Sequence, residues 1–182
     1  MYLPIVLGTA REGRRSEVIA NKLAELLTGM GIGTDIFDVK DSLLTATKGQ
    51  GNDVFFDNWL AALDKAVGFL IVVPEYNHGY PGELKLFLDQ FKPEYDRKIV
   101  GIVSVANGLW GGTRVTEQLR PVLAAFNMIV LGMAIHLRNV GSMIEQGEYN
   151  NPEFPDFVEL MVSQIKDLGY KLSDSQSMEI LS

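Results

Sequence analysis

Apolar residues run almost unbroken at Leu3 to Leu7, Val67 to Val73, Ile99 to Val105 and Met128 to Leu137. Runs rich in Ile and Val with so little polar alternation are what strands buried on both faces require, which predicts a parallel sheet. Between the runs, apolar residues recur three and four apart over Glu17 to Leu27, Asp53 to Ala66, Gly82 to Phe91, Thr113 to Phe126 and Phe157 to Leu168. That is the spacing of helices with one face in a core. Ile32 to Val39 alternates more strictly and reads as a strand near the sheet edge, one face partly open. Strands alternating with helices and joined by right-handed crossovers make a doubly wound three-layer α/β/α sandwich. A phosphate loop after the first of five parallel strands makes 2-1-3-4-5 the expected order; half of a dinucleotide-binding sheet is the alternative. Thr45 to Asn52 and the stretch from Ser173 have the composition of a loop and of a frayed terminus. The expected domain therefore covers residues 1–172, with 173–182 as a tail.

Composition narrows what such a sandwich can do. A chain of 182 residues suits one domain, and its 47% apolar content can fill a core. The apolar runs are broken well short of a membrane span, and the first residues lack a basic flank and apolar stretch, so the cytoplasm is the expected compartment. With 16 Lys and Arg against 23 Asp and Glu, the net charge of -7 opposes binding to nucleic acid or anionic lipid. Zero cysteines exclude disulfides, thiol catalysis and thiolate metal sites, leaving His78 and His136 as the imidazole ligands. Redox chemistry would have to come from a bound cofactor.

Ligands of an open parallel sheet bind beyond the carboxyl ends of its strands, so three loops matter most. Gly8 to Glu17, after strand one, turns through two glycines and leads into a helix, offering Thr9 and Ser16 hydroxyls and the guanidinium groups of Arg11, Arg14 and Arg15. Free backbone N–H groups, the positive helix end and an arginine together suit a phosphate monoester. Gly8 and Gly13 have the spacing of a Walker loop, but Arg14 and Arg15 stand where that loop needs Lys and Ser or Thr, and no Gly-x-Gly-x-x-Gly follows the strand. The loop after strand three, Pro74, Glu75, Tyr76, Asn77, His78 and Gly79, is framed by Pro and Gly and suits a flat heteroaromatic ring. After strand four, Asn107, Gly108, Gly111 and Gly112 allow close backbone approach and form the far wall, with Trp110 at the tip either shielding a ring or serving as an anchor. His78 is the candidate proton donor, although a loop histidine more often bonds or faces solvent; His136, between Ile135 and Leu137, reads as structural.

With these loops in view, the chain resembles the NADPH-dependent FMN reductase family, which includes bacterial quinone, chromate and azo-dye reductases. The resemblance runs from Leu3 to about Leu168 and is carried by Gly8-Thr9-Ala10-Arg11-Glu12-Gly13-Arg14 with Ser16, by Pro74-Glu75-Tyr76-Asn77, and by Gly108 with Gly111-Gly112. It implies a flavodoxin-like sandwich binding FMN and using NADPH or NADH as co-substrate. Electrons would pass by ping-pong hydride transfer to a quinone, azo compound, free flavin or metal oxyanion, with no essential catalytic side chain. It further implies that Thr9, Arg11, Arg14 and Ser16 hold the phosphate, that Pro74 to Gly79 line the isoalloxazine, and that Asn107, Gly108 and Gly111 flank its other edge. A homodimer or homotetramer is implied, with the Gly82 to Phe91 helix in the interface.

This chain departs from the family pattern in Leu84-Lys85-Leu86-Phe87-Leu88-Asp89-Gln90, where Leu-Lys-Asn-Ala-Ile/Leu-Asp-Trp is common. It departs again at Ala106, where Ser is usual, and over Ser42 to Asn52, which replaces an acidic stretch with prolines. Two other classes fit the same fold: a flavodoxin-type electron carrier without a nicotinamide site, and a flavin-less regulatory domain.

Overall fold

The structure, a computed structural model, describes residues 1–179. Its main sheet contains β1 (Ile5–Leu7), β2 (Ile36–Asp38), β3 (Gly68–Pro74), β4 (Ile99–Val105) and an edge strand in two pieces, β5 (Ile129–Val130) and β6 (Ile135–Leu137). The order is β2-β1-β3-β4-β5, with β6 also paired to β4, and every pairing in this sheet is parallel. This is the order expected from the sequence.

Because side chains alternate across a strand, the sheet divides the core in two. Ile5, Leu7, Leu70, Val72 and Val103 pack with α1 (Ser16–Gly29) and α6 (Phe154–Glu179). Val6, Phe69, Ile71, Val73, Val100 and Ile102 pack on the other face with α2 (Asp53–Lys65), α3 (Gly82–Leu88) and α4 (Thr113–Ala125). The winding reverses at β1: α1 leaves to one face and the next three helices cover the other. The crevice at the carboxyl ends of β1 and β3 is therefore the switch point, where such sheets bind ligands.

Several element boundaries differ from the sequence reading. The run Met128 to Leu137 is two short strands, because the Arg120 guanidinium takes the Leu131 and Gly132 carbonyls at 2.7 and 2.9 Å and draws the edge out of the ladder. The third helix stops at Leu88, with Pro93 soon after, although Phe91 still reaches the core. The last helix begins earlier, at Phe154, with Pro155 in its first turn, where a missing N–H costs nothing. It continues to Glu179, past Ser173, and residues 180–182 lie outside the described residues. A short helix α5 (Val140–Met143) and a hairpin, β7 (Ile144–Glu145) with β8 (Glu148–Tyr149), fill the connection after β6. The hairpin turns on Gln146 and Gly147, both at positive φ, and Gln in place of the usual Asn or Asp hides that turn from sequence reading. No helix among the described residues is long and apolar enough to cross a membrane.

Candidate cofactor site

Beyond the ends of β1, β3 and β4 lies a cavity of about 360 Å³. Of the residues singled out in the sequence, it brings together Arg11, Arg14, Arg15, Ser16, Pro74, Glu75, Tyr76 and Asn107. Gly13, Val105, Ala106 and Val140 complete the wall. Thr9, Asn77, His78, Gly79, Gly108 and Gly111 are not on it.

The loop after β1 is held from outside the cavity. Gly8 sits so close to its neighbours that a Cβ there would come within 3.2 Å of both the Leu84 side chain and the Val72 carbonyl. Thr9 is fully buried: its hydroxyl accepts from the Arg11 N–H at 3.3 Å and lies 3.2 Å from Glu83 Oε1 and 3.4 Å from the Tyr76 hydroxyl. The Ala10 N–H donates to the same Glu83 oxygen at 3.0 Å. Arg14, expected beside Arg11 as a phosphate ligand, donates to the Thr9 carbonyl, to Glu17 and, with two nitrogens, to the Asp38 carboxylate at the end of β2. Its side chain is 6% exposed. Arg11 and Arg15 form no ion pair among the described residues. Arg11 lies 5.5 Å from the Tyr76 ring centre, and the Arg15 guanidinium lies so near Gly141 that a Cβ there would meet it at 2.8 Å.

Ser16 opens α1 and is 1% exposed, yet its Oγ has no hydrogen-bond partner among the described residues. The residue before it, Arg15, supplies no side-chain cap to the N–H groups of the first turn, and Ser16 itself lies on the cavity wall. A buried hydroxyl without a partner costs free energy, which points to a ligand taking its place in the network.

After β3, Tyr76 and Gly79 exchange two backbone hydrogen bonds of 3.0 Å around Asn77 and His78, at φ of 48° and 68°. Both central residues at positive φ define a tight hairpin turn, which turns Asn77 and His78 to solvent and leaves the Tyr76 ring on the cavity. Glu75 bridges to the next wall: its carboxylate accepts from the Val115 N–H at 3.3 Å, in the first turn of α4, and lies 3.8 Å from Arg114.

The loop after β4 depends on two residues outside its own sequence. Ser104 Oγ donates to the Gly111 carbonyl at 2.7 Å and lies 2.8 Å from His136 Nδ1. Ser104 thereby joins the Gly111 turn to the His136 ring, with the direction of the serine–imidazole bond set by the imidazole tautomer. His136 keeps an exposed face, and partial desolvation of its ring, then the nearby Arg120 guanidinium, hold its pKa below the ordinary value. A Cβ on Gly112 would fall 2.8 Å from Ser104 Cβ, and one on Gly111 would fall 2.9 Å from the His136 backbone. Both glycines have positive φ, so the pattern read as close approach to a ligand is here close approach to β4 and β6. Leu109 and Trp110 are exposed at the tip. Asn107 Oδ1 accepts from the Gly141 N–H at 2.9 Å, linking this wall to α5.

Sequence reasoning missed Glu83, Asp38, Val140 and Gly141. No local pattern singles out Glu83 or Asp38 within their helix and strand, and none marks the short turn after β6. No group of three or more His, Asp or Glu residues among the described residues is placed to hold a metal.

A doubly wound parallel sheet of order 2-1-3-4-5 with a cavity at its switch point has the flavodoxin-like architecture. Within it, the NADPH-dependent FMN reductase model matches residues 1–141, and the chain belongs to that family. It is 30% identical over 121 residues to an NAD(P)H-dependent FMN reductase of Saccharomyces cerevisiae, a match covering 64% of this chain and 62% of the relative. The chain thus spans a little under two thirds of that relative's length. A quinone reductase of Escherichia coli is 25% identical over 158 residues, covering 78% of this chain and 84% of the relative. Among solved structures, the flavoenzyme NAD(P)H:(acceptor) oxidoreductase FerB of Paracoccus denitrificans superposes with a TM-score of 0.73 at 16% identity, over 93% of this chain and 97% of that one.

Proposed function

We propose that this chain is an NAD(P)H-dependent, FMN-containing oxidoreductase passing electrons to small molecules: quinones, azo compounds, free flavin or metal oxyanions. The observation that carries this reading is the buried, unpartnered Ser16 hydroxyl at the uncapped start of α1, opening on a cavity shared by three strand-end loops. Those donors fit a phosphate monoester, as a helix N-terminus with adjacent guanidinium groups does generally. Ser16 and the first-turn N–H groups of α1 would hold the phosphate, with Arg11 and Arg15 supplying charge. Arg14 would act by fixing the loop, and Thr9 by orienting the Arg11 N–H.

Pro74 and Tyr76 on one side and Ala106 and Asn107 on the other would line the ring. With its Oδ1 on Gly141, Asn107 keeps its amide N–H groups as donors to the site. Glu75, fastened to the start of α4, holds the two walls in fixed relation. FMN, when bound, supplies the two-electron chemistry linking a reduced nicotinamide to an acceptor, and the protein supplies position. No side chain is assigned a catalytic proton transfer.

The family resemblance supports a homodimer or homotetramer, with α3 in the interface. The expected compartment is the cytoplasm, where reduced nicotinamides are available.

The test is the visible spectrum of the purified protein after FMN addition and desalting, followed by anaerobic NADPH or NADH. Retained flavin that bleaches with either nicotinamide supports the reductase. Retained flavin that bleaches with dithionite alone identifies an electron carrier, and failure to retain flavin leaves a regulatory domain.

A further inference from the structure

Glu83 places a carboxylate against a loop whose other features attract anions. It lies in the first turn of α3, next to Leu84, whose side chain packs against Gly8. That contact brings Glu83 Oε1 onto the next two residues, 3.0 Å from the Ala10 nitrogen and 3.2 Å from Thr9 Oγ1. The Thr9 oxygen then accepts from the Arg11 N–H and lies beside the Tyr76 hydroxyl, while Arg11 stands over the Tyr76 ring. Two donors of the loop, both off the cavity wall, are thus occupied from within. Those that remain are the Ser16 hydroxyl and the N–H groups at the start of α1.

We propose that Glu83 is a positioning residue of the phosphate site: by holding the Ala10 N–H and the Thr9 hydroxyl, it sets the loop so that its remaining donors converge on one phosphate monoester. The proposal rests on the reading of this cavity as the FMN phosphate site. Its physical basis is that a carboxylate accepting from a backbone N–H makes a charge-assisted bond, about twice as strong as a neutral one. Removing the acceptor leaves the buried Thr9 hydroxyl and the half-buried Ala10 N–H without it and lets the loop relax.

The discriminating measurement is the Kd of FMN and of riboflavin, by flavin fluorescence quenching, for the parent protein, Glu83→Ala and Glu83→Gln. Circular dichroism melts establish that each variant is folded. The parent should prefer FMN over riboflavin. Glu83→Ala should lose about tenfold in FMN affinity with riboflavin affinity unchanged, the scale of one charge-assisted bond. Glu83→Gln keeps an acceptor oxygen and should bind FMN within about threefold of the parent, since only the charge on a retained bond is lost. Equal losses for both ligands in Glu83→Ala, no loss for either, or a Gln variant as weak as the Ala variant would each overturn the proposal while leaving the phosphate site standing. A parent protein that binds riboflavin as tightly as FMN removes the phosphate site itself, and this proposal with it.

Discussion

Arg14 and Asp38 form a two-point ion pair that ties the loop after β1 to the end of β2, with Nη1 3.0 Å from Oδ1. The pair is mostly shielded from solvent, with side-chain exposures of 6% for Arg14 and 17% for Asp38. It separates the three arginines of the loop into two kinds, one paired and holding the loop, and two without an ion pair among the described residues.

Arg14→Ala should therefore act chiefly on stability. Removing the guanidinium leaves the shielded Asp38 carboxylate with the Lys40 N–H as its partner, and a loss of about 2 kcal/mol is expected in a urea melt. Arg14→Ala with Asp38→Ala should lose less than the sum of the single variants, because the pair is coupled. Arg11→Ala with Arg15→Ala should instead leave stability within about 0.5 kcal/mol, as for exposed positions generally, and lower FMN retention after desalting. A stable Arg14→Ala protein with weakened flavin binding would reverse these assignments.

Ser16→Ala should separate folding from binding. The hydroxyl is buried without a partner among the described residues, so its removal should raise stability or leave it unchanged. The same change should weaken FMN by about tenfold, the worth of one hydrogen bond to a charged group. Paired thermal melts and flavin titrations check both halves, and a destabilised variant with normal flavin affinity would contradict the placement of this hydroxyl.

Gly112→Ala should disrupt the wall after β4. The residue has φ of 85°, and an added Cβ would lie 2.8 Å from Ser104 Cβ. Strain of this kind costs on the order of 1–3 kcal/mol. A lower melting temperature together with reduced flavin retention is expected, and unchanged values for both would show that the loop accommodates the side chain.

His136 should contribute a pH-dependent part of the stability. Its pKa is lowered in the folded protein, so below about pH 6.5, the ordinary imidazole value, the unfolded chain binds more protons. The contribution is fully present above that pH and is lost as pH falls toward the depressed folded value. Melts between pH 7.5 and 5.5 should show a shallower dependence in His136→Asn than in the parent, with identical slopes ruling the imidazole out.

The succession of buried strands, the face each helix turns inward and the three loops at the strand ends were legible from residue order. Those features rest on periods of two and of three to four residues, which any stretch of chain displays locally. The run Met128 to Leu137 shows where that legibility stops: its apolar pattern is continuous, but Arg120 on α4 takes two of its carbonyls and divides the strand.

The same limit applies inside the site. Three arginines in five residues mark a cationic loop, but which of them is neutralised depends on Asp38, 24 positions beyond Arg14. Thr9 and Ser16 are equivalent hydroxyls on paper. Folding brings Glu83 to Thr9 from 74 positions away and leaves Ser16 without a partner among the described residues, so the two acquire different work. Partner choice among polar groups is a matter of proximity across elements, and that proximity exists once the sheet has closed and its helices have packed.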